Sequence, residues 1–140
     1  MIVVVDTNVV LSARATKHRH NRILRAFGVG KFAWAVSTEI VLEYEEIIAR
    51  HASAAEWCKL KTVLDAADEL HSNLLHVEPS FHFRLIAGDP DDDKFADCAI
   101  AAEADWLITD DAHFEALRSA GHKPQPISSD EFIARHLSAA

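Results

Sequence analysis

The chain has 140 residues, of which 49% are hydrophobic and 26% charged, with a formal net charge of −8. That length suits a single domain over residues 1–140, and the composition excludes a disordered, coiled-coil or collagen-like chain. The apolar runs, Ile2–Val5 and Trp106–Ile108 among them, are far short of the roughly 20 residues that cross a bilayer, so no membrane segment is expected.

Strand and helix patterns alternate along the chain. Ile2–Val5 is a β-branched run suited to a central parallel strand buried on both faces. It stops at Asp6, which is either the N-cap of the next turn or a functional acid. A helix is expected from about His20 to Phe27, closed by Gly28 and Gly30. Phe32–Val36 reads as a second strand, and Ser37 or Thr38 can cap a helix reaching about Arg50. A longer amphipathic helix covers roughly Ala54–His71, and Leu74–Val77 is a third strand. Next come a helix at about Asp93–Ala104, a strand at Trp106–Thr109 and a helix at Ala112–Ala120. A strand near Gln125–Ile127 and a capped helix from Ser129 to Leu137 complete the chain. Such alternation predicts an α/β protein, a mostly parallel sheet sandwiched by helices, whose ligands gather at the carboxyl ends of the strands.

Trp34, Trp57 and Trp106 lie in apolar patterns and read as core. Cys58 and Cys98 are too few for a disulfide framework or a four-ligand zinc site and read as buried thiols. The opening residues lack the features of a secretory signal, so the expected location is cytoplasmic. Charge is distributed unevenly. Residues 7–38 hold no acid but carry Arg14, Lys17, Arg19, Arg22, Arg25 and Lys31, a local charge of +6 that leaves −14 elsewhere. This is either a solvated helix face or a nucleic-acid contact.

Five acids stand where a folded α/β sheet places its chemistry. Asp6 follows the first strand, and Asp111 follows the fourth with Asp110 as its competitor. Ile40, Glu43, Tyr44 and Ile47 share one helix face, so Glu43 is a carboxylate on the packed side. Such a Glu needs a partner, either a bound cation or a salt bridge. Asp89, Asp91, Asp92, Asp93 and Asp97 crowd nine positions, and Asp93 and Asp97 share one side of their helix. Phe95, Cys98, Ala99 and Ala102 take the packed side. Two carboxylates about 5 Å apart at an effective dielectric near 20 repel by roughly 3 kcal/mol, so acids gathered at one sheet edge require a cation. Hard oxygen donors select Mg²⁺ or Mn²⁺ over zinc, and those ions serve phosphoryl chemistry.

These residues resemble the PIN-domain nucleases, especially the VapC-like toxin branch of bacterial toxin–antitoxin systems. Val3-Val4-Val5-Asp6-Thr7-Asn8-Val9 resembles the family's first motif, and Ser37–Glu43 its second, whose Glu falls on Glu43. Asp89–Phe95 resembles the third, where the spacing of 18 to Asp111 favours Asp93, with Asp97 as accessory acid. Leu107–Asp111 resembles the fourth and favours Asp111 over Asp110. Ile127–Ile133 resembles the closing strand-to-helix segment. The resemblance implies a three-layer α/β/α sandwich with a five-stranded sheet and a metal-dependent endoribonuclease that leaves 5′-phosphate and 3′-hydroxyl ends. Asp6, Glu43, Asp93 and Asp111 would be catalytic, and Asp6, Asp93, Asp97 and Asp111 would hold Mg²⁺ or Mn²⁺. Thr7 or Asn8, together with Thr109, would orient the acids. Arg14, Lys17, Arg19 and Arg22 would bind the RNA backbone. A small antitoxin partner and a homodimer are further expectations. Two rivals remain beside this reading. One is a catalytically silent PIN-like module acting through protein partners. The other, a phosphate-accepting receiver domain, lacks its paired acids and late Lys here. A Walker-type phosphate loop, an H-E-x-x-H zinc site and a G-x-S-x-G hydrolase motif are all absent from the sequence.

Overall fold

The computed structural model describes residues 1–80 and 90–137. Asp89, and the side chains of Asp91 and Asp92, lie outside the described residues. Strands β1 (Ile2–Val5), β2 (Ala33–Val36), β3 (Leu74–His76), β4 (Trp106–Ile108) and β5 (Gln125–Ile127) form one sheet in the order β3-β2-β1-β4-β5. Every pair is parallel, with Val3 opposite both Trp34 and Trp106, and Ile108 opposite Val5 and Ile127. The first three strands walk to one edge, and the chain then returns past β1 to place β4 and β5. Right-handed crossovers put the helices of these two directions on opposite faces, which makes a three-layer α/β/α sandwich. The reversal lies between β1 and β4. Ligand crevices in open α/β sheets form at the carboxyl ends of such a pair.

β1 is central and apolar because both its faces are covered, and Val3, Val4 and Val5 are wholly buried. After it comes α1 (Thr7–Ala13), which the sequence pattern does not reveal. Three of its seven residues are β-branched, a weak prior for helix, and burial of Val9, Val10 and Ala13 overrides it. α2 (Asn21–Gly28) ends near Gly30, whose φ is +80°. A Cβ on Gly30 would stand 2.9 Å from the His71 ring, so glycine is required there for both conformation and space. α3 (Thr38–His51) is capped by Ser37, whose Oγ accepts from the Ile40 N–H. α4 (Ala54–His71) is capped by Ser53 and buries Trp57, Leu60, Leu64 and Ala67.

α5 (Pro90–Ala101) starts earlier than expected and packs against β1 and β4. The expected helix after β4 divides into a 3-10 turn, Ala112–Phe114, and α6 (Glu115–Ser119). α7 (Ser129–Phe132) is capped by Ser128 and runs into a π turn, Ile133–Leu137. Two burial expectations need correction. Cys58 is exposed, because the packed stripe of α4 passes through its neighbour Trp57 and leaves position 58 outside. Trp106 is only partly buried, with the Arg135 guanidinium 5.1 Å from its ring centroid.

Candidate active site

The carboxyl end of β1 is pinned by two hydrogen bonds. The Asp6 N–H donates to the Ile108 carbonyl at 2.9 Å, carrying the β1–β4 ladder past the last strand residue. The Tyr44 hydroxyl, fully buried on α3, donates to the Val5 carbonyl at 2.5 Å and accepts from Trp34 Nε1 at 3.3 Å. Burial among these groups holds the Tyr44 phenol far above its ordinary range. A residue of β2 and one of α3 thus position the backbone from which Asp6 projects.

Asp6 is 6% exposed, and its backbone takes the N-cap position of α1 while its side chain makes no cap hydrogen bond. Instead, the Thr109 hydroxyl donates to Asp6 Oδ2 at 2.7 Å. The same hydroxyl oxygen accepts from the Asp111 N–H at 3.1 Å, so Thr109 links the acid after β1 to the acid after β4. Burial raises the Asp6 carboxyl from 3.8 to about 6. The Thr109 hydroxyl and the Thr7 N–H oppose that rise, and the negative charges of Asp111 and Glu43 reinforce it. Three acids far apart in sequence therefore share one electrostatic neighbourhood.

Both carboxylate oxygens of Glu43 have partners. The Thr7 hydroxyl donates to Oε2, and Lys94 Nζ stands 2.8 Å from Oε1. Of the two partners the sequence allows for Glu43, the structure shows the salt bridge. Asp97, on α5, is 2% exposed, and Asp93 lies one turn earlier and half-buried. The neighbouring Cys98 thiol is pushed up to about 12, chiefly by burial and then by the charges of Glu78 and Asp97, so it stays protonated and inert.

Geometry separates the adjacent pair after β4. Asp110 accepts from the Ser129 N–H at 2.9 Å and the Ser129 hydroxyl at 2.7 Å, tying β4 to the start of α7. Asp111 caps the 3-10 turn through the His113 N–H at 2.9 Å, and its charge is close enough to add to the rise of the Asp6 pKa. Asn8 is exposed and, among the described residues, makes no hydrogen bond to these acids, whereas Thr7 does. Lys94 and Tyr44 are the site residues that sequence reasoning passed over. The signal for Lys94 was Glu43 itself, a carboxylate on a packed helix face in need of a cation.

Three of the four expected RNA-binding side chains have partners within the chain. Arg14 pairs with Glu56 at 3.5 Å, Arg19 grips Asp130 at 2.8 and 3.2 Å, and Arg22 donates to the Leu137 carbonyl at 3.0 Å. Lys17 is exposed. Arg14 and Lys17 line a groove of about 750 Å³ with Arg25, Lys59 and Leu60, and no site acid enters it.

Among the described residues, no three His, Cys, Asp or Glu side chains close into a ready metal cage. Glu43 is held by Thr7 and Lys94, and Asp111 is turned to its cap. The donor chemistry nevertheless fits a hard divalent ion. The acids offer only carboxylate oxygen, Cys98 remains a thiol, and Asp6 is raised to about 6 chiefly by burial and further by the charges of Asp111 and Glu43, which such an ion would offset.

The fold is similar to that of a chain in the crystal structure of VapBC2 from Rickettsia felis bound to a DNA fragment from their promoter. The TM-score is 0.60 and the identity 18%, covering 91% of this chain and 98% of that one. A search of curated proteins gives no match. A family model described as PIN domain matches residues 2–113, which takes in Asp6, Glu43, Asp93, Asp97 and Asp111, and this chain belongs to the PIN domain family.

Proposed function

We propose that this protein is an Mg²⁺- or Mn²⁺-dependent endoribonuclease, the toxin of a toxin–antitoxin pair. The family is one of nucleases, and the observation that carries the reading is Asp6. It is a buried carboxylate at the β1–β4 reversal, held by Thr109 and raised to about 6 by burial and by Asp111 and Glu43. Asp6, Asp93 and Asp111, with Asp97 beside them, are the residues that would hold a divalent ion. Such an ion, when bound, supplies charge neutralisation and activates water for attack on phosphorus.

The chain's own groups do the rest. Thr109 fixes Asp6 and the backbone of Asp111 with one hydroxyl, and Tyr44 fixes the strand end. Burial excludes bulk water from Asp6 and keeps its charge available to a cation rather than to solvent. In the hydrolysis, a water oxygen bonds to phosphorus and the bond to the 3′ oxygen breaks. That oxygen ends as a hydroxyl and the phosphate stays on the 5′ side. Lys17 and Arg22, and Arg19 once released from its exposed pair with Asp130, track the RNA backbone, with Arg14 at the edge of the groove. Similarity to a chain of VapBC2 supports a small antitoxin partner. A homodimer and a cytoplasmic location belong to the same reading. Among the described residues no helix is long and apolar enough to cross a membrane.

The test is cleavage of a generic RNA by wild type and Asp6→Asn with Mg²⁺ or Mn²⁺, and again with EDTA. Cutting that EDTA or the substitution abolishes supports the reading, and equal cutting by both forms refutes it. One observation favours the second reading, a silent binding module: Lys94 neutralises Glu43 with a charge from the chain itself. Strong thermal stabilisation by Mn²⁺ without turnover on any nucleic acid would establish that alternative.

A further inference from the structure

Lys94 sits directly after Asp93 on α5, yet it turns toward α3. Its Nζ lies 2.8 Å from Glu43 Oε1, with the two side chains 14% and 22% exposed, and 5.6 Å from the Phe95 ring centroid. Exposed lysine pairs are mobile and weak, but this one is held in a largely desolvated place. Its carboxylate partner is itself fixed by Thr7. An ammonium has three N–H donors, and the contact with Glu43 uses one. Thr7 follows Asp6 directly and donates to the other oxygen of Glu43, so the Glu43–Lys94 pair adjoins the strand end that carries Asp6.

A phosphodiester brought to Asp6 meets the carboxylates of Asp6, Glu43 and Asp111. A permanent cation beside them offsets that repulsion, and its value grows as charge gathers on the non-bridging oxygens in the transition state. We propose that Lys94 contacts a non-bridging oxygen of the scissile RNA phosphate, and that Glu43 is the positioning residue that aims it rather than a ligand for the divalent ion. The contact is electrostatic, and no proton transfer is part of it. The inference rests on the nuclease reading above and extends it to a residue outside the acid set.

The experiment is single-turnover cleavage of a fluorescent single-stranded RNA in saturating MnCl₂, with Mn²⁺ titration calorimetry and thermal melts run without RNA. It compares wild type with Lys94→Met, Lys94→Arg and Glu43→Gln. Lys94→Met should lower the maximal rate about 100-fold, the effect of removing one donor from a developing oxyanion. Its RNA half-saturation should move by less than about threefold, because the lost contact acts in the transition state. Its Mn²⁺ affinity should match wild type. Lys94→Arg, which keeps the charge, should recover at least about tenfold of the loss. Glu43→Gln should slow cleavage about tenfold with Mn²⁺ affinity unchanged. Lys94→Met cutting at the wild-type rate overturns the proposal, as does a rate loss that tracks weakened Mn²⁺ binding in either variant. Lys94→Arg keeps the test decisive if Lys94→Met fails to fold, since an arginine variant as slow as an unrelated dead mutant also overturns it. Failure of wild type to cut in Mg²⁺ or Mn²⁺ removes the nuclease reading as well, whereas wild-type cutting with an unaffected Lys94→Met removes the Lys94 assignment alone.

Discussion

Asp6 should make the protein less stable when no metal is present, and Asp6→Asn should reveal by how much. The carboxyl rises from 3.8 to about 6 on folding, so the folded state binds this proton more tightly than the unfolded chain. The stabilisation from the proton is complete below pH 3.8 and is lost as pH rises through about 6. Across that shift of about two units, with 1.36 kcal/mol per unit, the loss is about 3 kcal/mol. The asparagine side chain has no charge to desolvate and can still accept from Thr109, so the variant avoids the loss. At roughly 4 °C per kcal/mol for a chain of this length, apo Asp6→Asn should melt about 10 °C above wild type at pH 7.5. The gap should open from pH 4 and level off above about pH 7, the window set by the two pKa values. Melting followed by circular dichroism in EDTA, at half-unit steps from pH 4 to 8, checks the shape as well as the size. Adding MnCl₂ at pH 7.5 should stabilise wild type and leave the variant unmoved. Parallel pH profiles for the two proteins would refute the burial argument, and equal Mn²⁺ responses would remove Asp6 from the cation site.

Tyr44→Phe removes the donor to the Val5 carbonyl and the acceptor for Trp34, leaving buried groups unpaired. Urea unfolding should show a loss of about 1–3 kcal/mol, and cleavage should slow because the strand end bearing Asp6 is freed. Asp110→Ala should lose about 1–3 kcal/mol through the orphaned Ser129 pair while keeping its Mn²⁺ response, measured by melting. Asp111→Asn should do the reverse, with stability nearly kept and the Mn²⁺ response lost. Lys17→Ala and Arg22→Ala should each flatten the dependence of log RNA affinity on log salt by about 0.7, read by fluorescence anisotropy.

The sequence showed most clearly what depends on neighbours in the chain. Asp6 and Asp111 stand out because each ends a short apolar strand, and Glu43 because it falls on the packed face of a helix with Ile40 and Tyr44. What it did not show depends on partners far away. Asp110 and Asp111 are adjacent and chemically identical, and the difference between them is made by Ser129, which the β5–α7 connection brings to Asp110. α1 escaped notice because Val9 and Val10 favour strand by propensity, and only the core they enter makes them helical. Lys94 has no assigned role in the sequence, and its contact with Glu43 exists only once α3 and α5 lie side by side.

The same contacts bear on how the site can tolerate its own charge. Burial raises the Asp6 pKa, and repulsion from Asp111 and Glu43, poorly screened away from bulk water, adds to the rise. Lys94 answers Glu43, and Thr109 and the Thr7 N–H answer part of Asp6, but neither hydrogen bond carries a full positive charge. Among the described residues, repulsion is thereby relieved on the α3 side, while between β1 and β4 no lysine or arginine is paired with Asp6 or Asp111, and only the His113 ring stands 3.4 Å from Asp111. The residual negative charge is thus concentrated where the strand order reverses. A divalent ion binding there would gain most from Asp6, whose proton it displaces near neutral pH. Its affinity should therefore rise steeply between about pH 5 and 7, and a pH-independent Mn²⁺ affinity over that range would place the ion elsewhere.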